Sequence, residues 1–151
     1  MALLDAVVDA DDERFCTAIF GVVTPGDRVE VVLATGGHPS PIVRRSDGRK
    51  ESEPIGGSLL GLFHDPDLRS VRVQLDPGDT LLLLTDGVLE ARRDGKFFGV
   101  EGVERVLAAE VGSARATVDG LEQAVLAHTG GTLGDDMAAV VLHFPTEAVG
   151  G

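Results

Sequence analysis

Two uninterrupted apolar runs, each joined to a pair of small acidic or glycine residues, constrain this chain more than anything else in it. Leu81-Leu82-Leu83-Leu84 runs into Thr85-Asp86-Gly87, and Gly134-Asp135-Asp136 leads into Met137 to Leu142. A half-exposed strand alternates apolar and polar residues, so an apolar run without alternation reads as a central strand covered on both faces. By contrast, Val71, Val73 and Leu75 alternate with Arg72 and Gln74, the period of a half-buried strand. Phe15–Val23 and Arg28–Leu33 read as strands joined in a hairpin by Thr24-Pro25-Gly26-Asp27, a type II turn in which Gly26 takes the positive φ. Asp76-Pro77-Gly78-Asp79 repeats that turn chemistry. Pro41–Arg45 is a short strand, Thr35–Pro39 a tight glycine loop, Glu53–Phe63 a longer loop and Met137–Phe144 the last strand.

Two helices precede that strand. Val100, Val103, Val106 and Leu107 share one helical face, with Gly112 at the stop; Val118, Leu121 and Val125 mark the second helix, started by a box-like Asp119 and Glu122 and ended by Gly130-Gly131. Strands, then two helices, then a strand returning to the sheet make an α+β fold rather than an alternating parallel one. At 151 residues the length suits one domain. It is read over residues 15–144, after a lead-in at 1–14 in which Ala2 to Val8 is the end of a helix, and before a frayed tail at 145–151.

A net charge of −12 opposes binding to nucleic acid and to anionic membranes. No segment is long and apolar enough to span a bilayer and no signal pattern opens the chain, so a cytoplasmic location is expected. Cys16 is the single cysteine, which excludes an intrachain disulfide; it reads as a small buried hydrophobe. Asp-Gly after a strand is ordinary turn chemistry when met alone. Two carboxylate groups at the ends of two core strands, however, suit a hard divalent cation such as Mg²⁺ or Mn²⁺, which takes oxygen ligands and can polarise a phosphoryl oxygen and activate a water. The chemistry expected is therefore metal-dependent hydrolysis of a phosphate ester. A generic Ca²⁺-binding β-domain is disfavoured by the lack of an EF-hand type loop. Arg44, Arg45, Arg92 and Arg93 could grip phosphate but read as solvated surface, and His38 reads first as a residue that fixes its glycine turn.

Motifs in a fixed order also resemble a known family. Phe15-Cys16-Thr17-Ala18-Ile19-Phe20-Gly21 is similar to its F-x-T-A-x-x-G strand, and Ala34-Thr35-Gly36-Gly37-His38-Pro39 to its N-A-G-H-P loop. Gly57-Ser58-Leu59-Leu60-Gly61-Leu62 resembles P-L-G-L; Pro77-Gly78-Asp79 through Thr85-Asp86-Gly87-Val88-Leu89-Glu90-Ala91 resembles P-G-D and T-D-G-V-x-E-A; Phe98-Gly99 and Gly134-Asp135-Asp136-Met137 complete the series. The chain so resembles the stage-II-sporulation-E and RsbU-like branch of the PPM (PP2C-type) serine/threonine phosphatases, over essentially all of Phe15 to Phe144. The resemblance implies an α-β-β-α sandwich of two antiparallel sheets flanked by helices, and a Mn²⁺ or Mg²⁺ pair. It implies metal ligation by Asp86 and Asp135, with Asp136 beside them and with Gly87 and Gly61 allowing close backbone approach. The implied reaction is attack of a metal-activated water on a phosphoserine or phosphothreonine, and the implied partner is a phosphorylated STAS-type anti-sigma antagonist.

The family's first motif, G-D-(V/M)-x-G-H-G, has no counterpart in Met1 to Arg14, so the fold is expected in an N-terminally shortened form. That leaves sheet edges unpaired, from which self-association is expected. It also keeps a second reading open: a catalytically silent phosphatase-like module that binds a partner protein. Thr35, Gly36 and Ala138 stand where Asn, Ala and Thr or Ser are usual.

Overall fold

A computed structural model describes residues 15–109 and 112–146. The helix end read over Ala2 to Val8 and the tail after Thr146 lie outside them. Nine strands and three helices follow in the order β1 (Ala18–Thr24), β2 (Val29–Gly36), β3 (Ile42–Arg44), β4 (Lys50–Ser52), β5 (Arg69–Leu75), β6 (Thr80–Leu84), α1 (Asp86–Leu89), β7 (Arg92–Arg93), β8 (Lys96–Phe97), α2 (Gly99–Ala109), α3 (Ala114–Thr129) and β9 (Ala139–His143).

The strands form two antiparallel sheets and a small hairpin. Sheet I has the order β1-β2-β5, sheet II the order β4-β3-β6-β9, and β7 pairs with β8. The leucine run explains how the layers stack. Leu82 and Leu84 point to one side of sheet II and pack with Ile42 against Val103, Val106 and Leu107 of α2 and Leu121 and Val125 of α3. Leu81 and Leu83, alternating with them, point to the other side, where Leu81 joins Val31, Leu33, Val43, Val73 and Leu75 between the sheets and Leu83 packs against that cluster. β6 is thus covered on both faces, and sheet II is the middle layer between helices and sheet I. On sheet I the period-two pattern holds: Val73 and Leu75 are buried while Arg72 and Gln74 are exposed.

Several local expectations are corrected. The first hairpin forms, with Val22 opposite Val32, but Gly26 is not among the residues of positive φ, so its connection is not a type II turn. The second is: Asp79 N–H donates to Asp76 O at 2.9 Å and Gly78 has φ +90°. β2 runs on through Thr35 and Gly36, because Gly36 still pairs with Ala18 and Thr35 with Arg69; the tight turn begins only at Gly37. In α2 the inward residues are Gly102, Val103, Val106 and Leu107, and Val100 is 45% exposed. The buried Phe98 ring fills the space under that first turn, with Gly102 lying against it. α3 starts upstream of the expected box: Ser113 is its N-cap and accepts from Ala116 N–H at 3.1 Å, while Asp119 pairs with Arg115 on the helix surface. Arg44 is buried, not solvated. Arg45 is held by Glu51 at 2.7 Å and Asp79 at 2.9 Å, which keep its guanidinium above the ordinary value.

Candidate metal centre

The two acidic segments meet at one end of sheet II because β6 and β9 are neighbours. Leu84, the last residue of β6, lies opposite Ala139, the first of β9. Thr85 extends that pairing past the strands: its N–H donates to Ala138 O at 3.0 Å, and its hydroxyl accepts from Ala138 N–H at 3.0 Å. The chain then turns into α1, placing Asp86 at the start of that helix and Asp135 in the loop before β9. Gly87 is buried where the segments touch. A Cβ there would overlap the Asp136 carbonyl and stand 3.7 Å from the Asp135 Cβ. The missing Cβ at Gly87 thus lets the α1 backbone approach the Asp136 backbone closely. Gly61, the other glycine so read, turns the chain at φ +87° after Leu60, which pairs with Cys16.

Asp86, Asp135 and Asp136 are all exposed. Asp86 Oδ1 accepts from Gly87 N–H at 3.1 Å and Asp135 Oδ1 from Asp136 N–H at 2.8 Å, which orients both carboxylates within their own turns. The donors brought together are hard oxygens, the type that Mg²⁺ and Mn²⁺ prefer over nitrogen or sulfur. They fit one side of such a site. Among the described residues no group of three or more His, Cys, Asp or Glu side chains could by itself hold a metal ion. The remaining positions of an octahedron would fall to water, to carbonyl oxygens or to another segment.

His38 joins this end of the molecule from sheet I. Its Nδ1 lies 3.3 Å from Thr17 Oγ1. The half-buried ring is pushed below the usual imidazole value by burial, with partial compensation from the Asp86 carboxylate and the Leu84 carbonyl beside it. His38 was read as a turn residue; the fold sets it beside the candidate ligand. The signal was the Gly-Gly-His-Pro loop itself, but only the packing of one sheet on the other brings it to Asp86.

Two clefts flank the carboxylates. One, of about 630 Å³, runs along α3 past Leu121, Leu133 and Met137 to Asp135 and Asp136. The other, of about 460 Å³, is lined by Gly87, Glu90, Arg92, Phe97, Thr129 and Asp135. Sequence reasoning took Arg92 as solvated surface and did not single out Phe97, because the hairpin carrying them has strands of only two residues.

Comparison with known proteins agrees with this architecture. The phosphatase domain of SpoIIE from Bacillus subtilis, in a Mn-presoaked crystal, superposes with a TM-score of 0.69 at 19% identity, covering 85% of this chain and 56% of that one. The SiaA PP2C domain of Pseudomonas aeruginosa gives 0.58 at 20% identity, over 78% and 51%. Protein IcfG of Synechocystis is 26% identical over 140 residues, 91% of this chain but 22% of IcfG. The chain thus spans about half the length of these solved domains and about a fifth of the curated relative. The two antiparallel sheets with helices packed on them are the fold of PP2C phosphatase domains. With the family's sequence pattern, Stage II sporulation protein E (SpoIIE), matched over residues 1–145, the chain belongs to the SpoIIE family.

Proposed function

We propose that this chain forms part of the catalytic centre of a metal-dependent protein serine/threonine phosphatase. The observation that carries the reading is the convergence of Asp86 and Asp135, with Gly87 packed on the Asp136 backbone between them. Asp86 and Asp135 would hold Mn²⁺ or Mg²⁺, with Asp136 beside them. When bound, such an ion supplies a polarised phosphoryl oxygen and an activated water. The chain's own groups contribute position: Thr85 fixes the spacing of the two carboxylate segments through Ala138, and the turns of Asp86 and Asp135 hold their carboxylates in place. The substrate that the resemblance suggests is a phosphoserine or phosphothreonine on a small regulatory protein of the anti-sigma antagonist type, met in the cytoplasm. Among the described residues no helix is long and apolar enough to cross a membrane.

A second reading is favoured by one observation: the described residues supply no three-residue metal cluster of their own. On that reading the chain binds a partner protein without turnover. Hydrolysis of p-nitrophenyl phosphate across Mn²⁺ concentrations separates the two. Turnover that rises with Mn²⁺ and is lost in both Asp86→Asn and Asp135→Asn supports the phosphatase. Absence of turnover in the unaltered chain supports the silent module.

A further inference from the structure

The hairpin β7–β8 has two faces with different surroundings. Arg92 lies directly opposite Phe97 and Arg93 opposite Lys96. Residues directly opposite in an antiparallel pair project to the same side, so Arg92 and Phe97 share one face and Arg93 and Lys96 the other. The second face is fastened to the end of α3. His128 Nε2–H donates to the Lys96 carbonyl at 3.0 Å, and the Arg93 guanidinium lies against Gly130, 3.4 Å from where a Cβ would stand. The buried Phe98 ring, next in sequence, meets His128 edge-on at 5.6 Å. The first face is left to the cleft of about 460 Å³, which Arg92 and Phe97 line together with Gly87, Glu90, Thr129 and Asp135.

The charge pattern says what such a wall can take. Arg93 has Asp94 as a neighbour at 3.8 Å, whereas Arg92 makes no ion pair among the described residues. On a chain of net charge −12, most of the surface repels a phosphate dianion. A guanidinium in the cleft that Asp135 also lines offers paired N–H donors matched to phosphoryl oxygens. Phe97, 57% exposed, offers an apolar ring on the same face. We propose that Arg92 and Phe97 position the substrate. Arg92 grips the phosphoryl oxygens of a phosphorylated side chain lying in the cleft, and Phe97 packs on an apolar residue beside it. Arg93, one residue on, has the structural task of seating the hairpin.

This inference rests on the phosphatase reading above, and binding rather than turnover tests it. The probe is a fluorescein-labelled short peptide with phosphoserine between two leucines, followed by anisotropy with and without Mn²⁺, beside its unphosphorylated twin. Arg92→Ala is expected to weaken the phosphorylated peptide about tenfold or more, the scale of a charged hydrogen bond. Arg92→Lys restores part of that loss, Arg93→Ala changes binding by less than about twofold, and Phe97→Ala weakens both peptides. Equal losses for Arg92→Ala and Arg93→Ala, or no preference for phosphoserine in the unaltered chain, would overturn the proposal. A separate Mn²⁺ titration followed by electron paramagnetic resonance keeps the two claims apart. Mn²⁺ bound at Asp86 without an Arg92 effect removes this inference alone. Arg92-dependent capture of the phosphopeptide without Mn²⁺ binding removes the metal reading and leaves the inference standing.

Discussion

Gly87 decides whether the two acidic segments can meet at all. The next smallest residue already places a carbon into the Asp136 carbonyl, so Gly87→Ala must drive α1 and the 134–138 loop apart. Overpacking of this kind costs about 1–3 kcal/mol. A lowered melting temperature together with weakened Mn²⁺ binding is expected, and calorimetry on the metal-free and metal-loaded chain measures both. His38 supplies the pH prediction. Burial lowers its folded pKa below the unfolded 6.5, so on acidification the unfolded chain takes up the proton first. The stability linked to His38 is complete above pH 6.5 and is lost as pH falls from there through the folded value. In the metal-free chain its ring protons should titrate below 6.5 by NMR, and Asp86→Asn should lower the midpoint further, because the Asp86 charge is what raises it. A midpoint unchanged by that substitution would show that the two groups do not face each other. At this scale the sequence was informative about Asp86 and Asp135, since the apolar runs say where the strands stop. It misled about Arg45, which reads as solvated surface, because its partner Asp79 lies 34 positions away and reaches it only through the fold.

Among the elements, the turn between β5 and β6 is the best fastened. Asp79 is buried and accepts from Ser46 N–H at 2.8 Å, Asp76 N–H at 3.0 Å and Arg45 Nη1–H at 2.9 Å. It thereby locks the β3–β4 connection to the start of β6, at the end of sheet II away from the carboxylate pair. Asp79→Ala leaves the Ser46 and Asp76 N–H groups without their acceptor and leaves Arg45 with Glu51 as its one carboxylate among the described residues, at a cost of about 2 kcal/mol. Urea unfolding should show that loss, while Mn²⁺ affinity measured well below the unfolding midpoint stays the same. The elements that could be read from sequence are those with a strong period. β5 alternates and β6 does not, and each side-chain pattern matches its layer. The missed ones carry no such period. β4 is Lys50-Glu51-Ser52, a polar strand that among the described residues pairs only with β3. α1 spans four residues, little more than one turn, too short for a helical pattern. The start of α3 was misplaced because Asp119 and Glu122 imitate a cap, whereas the working cap is Ser113.

Among the described residues, the helices cover sheet II, while the outer face of sheet I carries Phe20 and Val22, 70% and 52% exposed, beside an edge of β1 with which no other described strand pairs. Apolar side chains next to unpaired strand groups favour pairing with another strand. The isolated chain is therefore expected to self-associate with concentration, and Phe20→Lys to reduce that association; sedimentation velocity reads both, and a monomer at every concentration would count against it. The fold class was legible because composition, period and motif order agree on it, and the superposed phosphatase domains share it. What no local pattern contains is the arrival of His38 beside Asp86 and of Arg92 in the cleft with Asp135, since sheet packing and a two-residue hairpin bring them there. The claim on which the account depends is that Asp86 and Asp135 act as one ligand set. Mn²⁺ binding followed by electron paramagnetic resonance tests it most directly, in the unaltered chain and in Asp86→Asn and Asp135→Asn. The account predicts a bound signal weakened to a similar extent by either substitution, with no further loss when both are combined. Binding that survives both, or that falls additively, would mean that the two carboxylates do not share a metal.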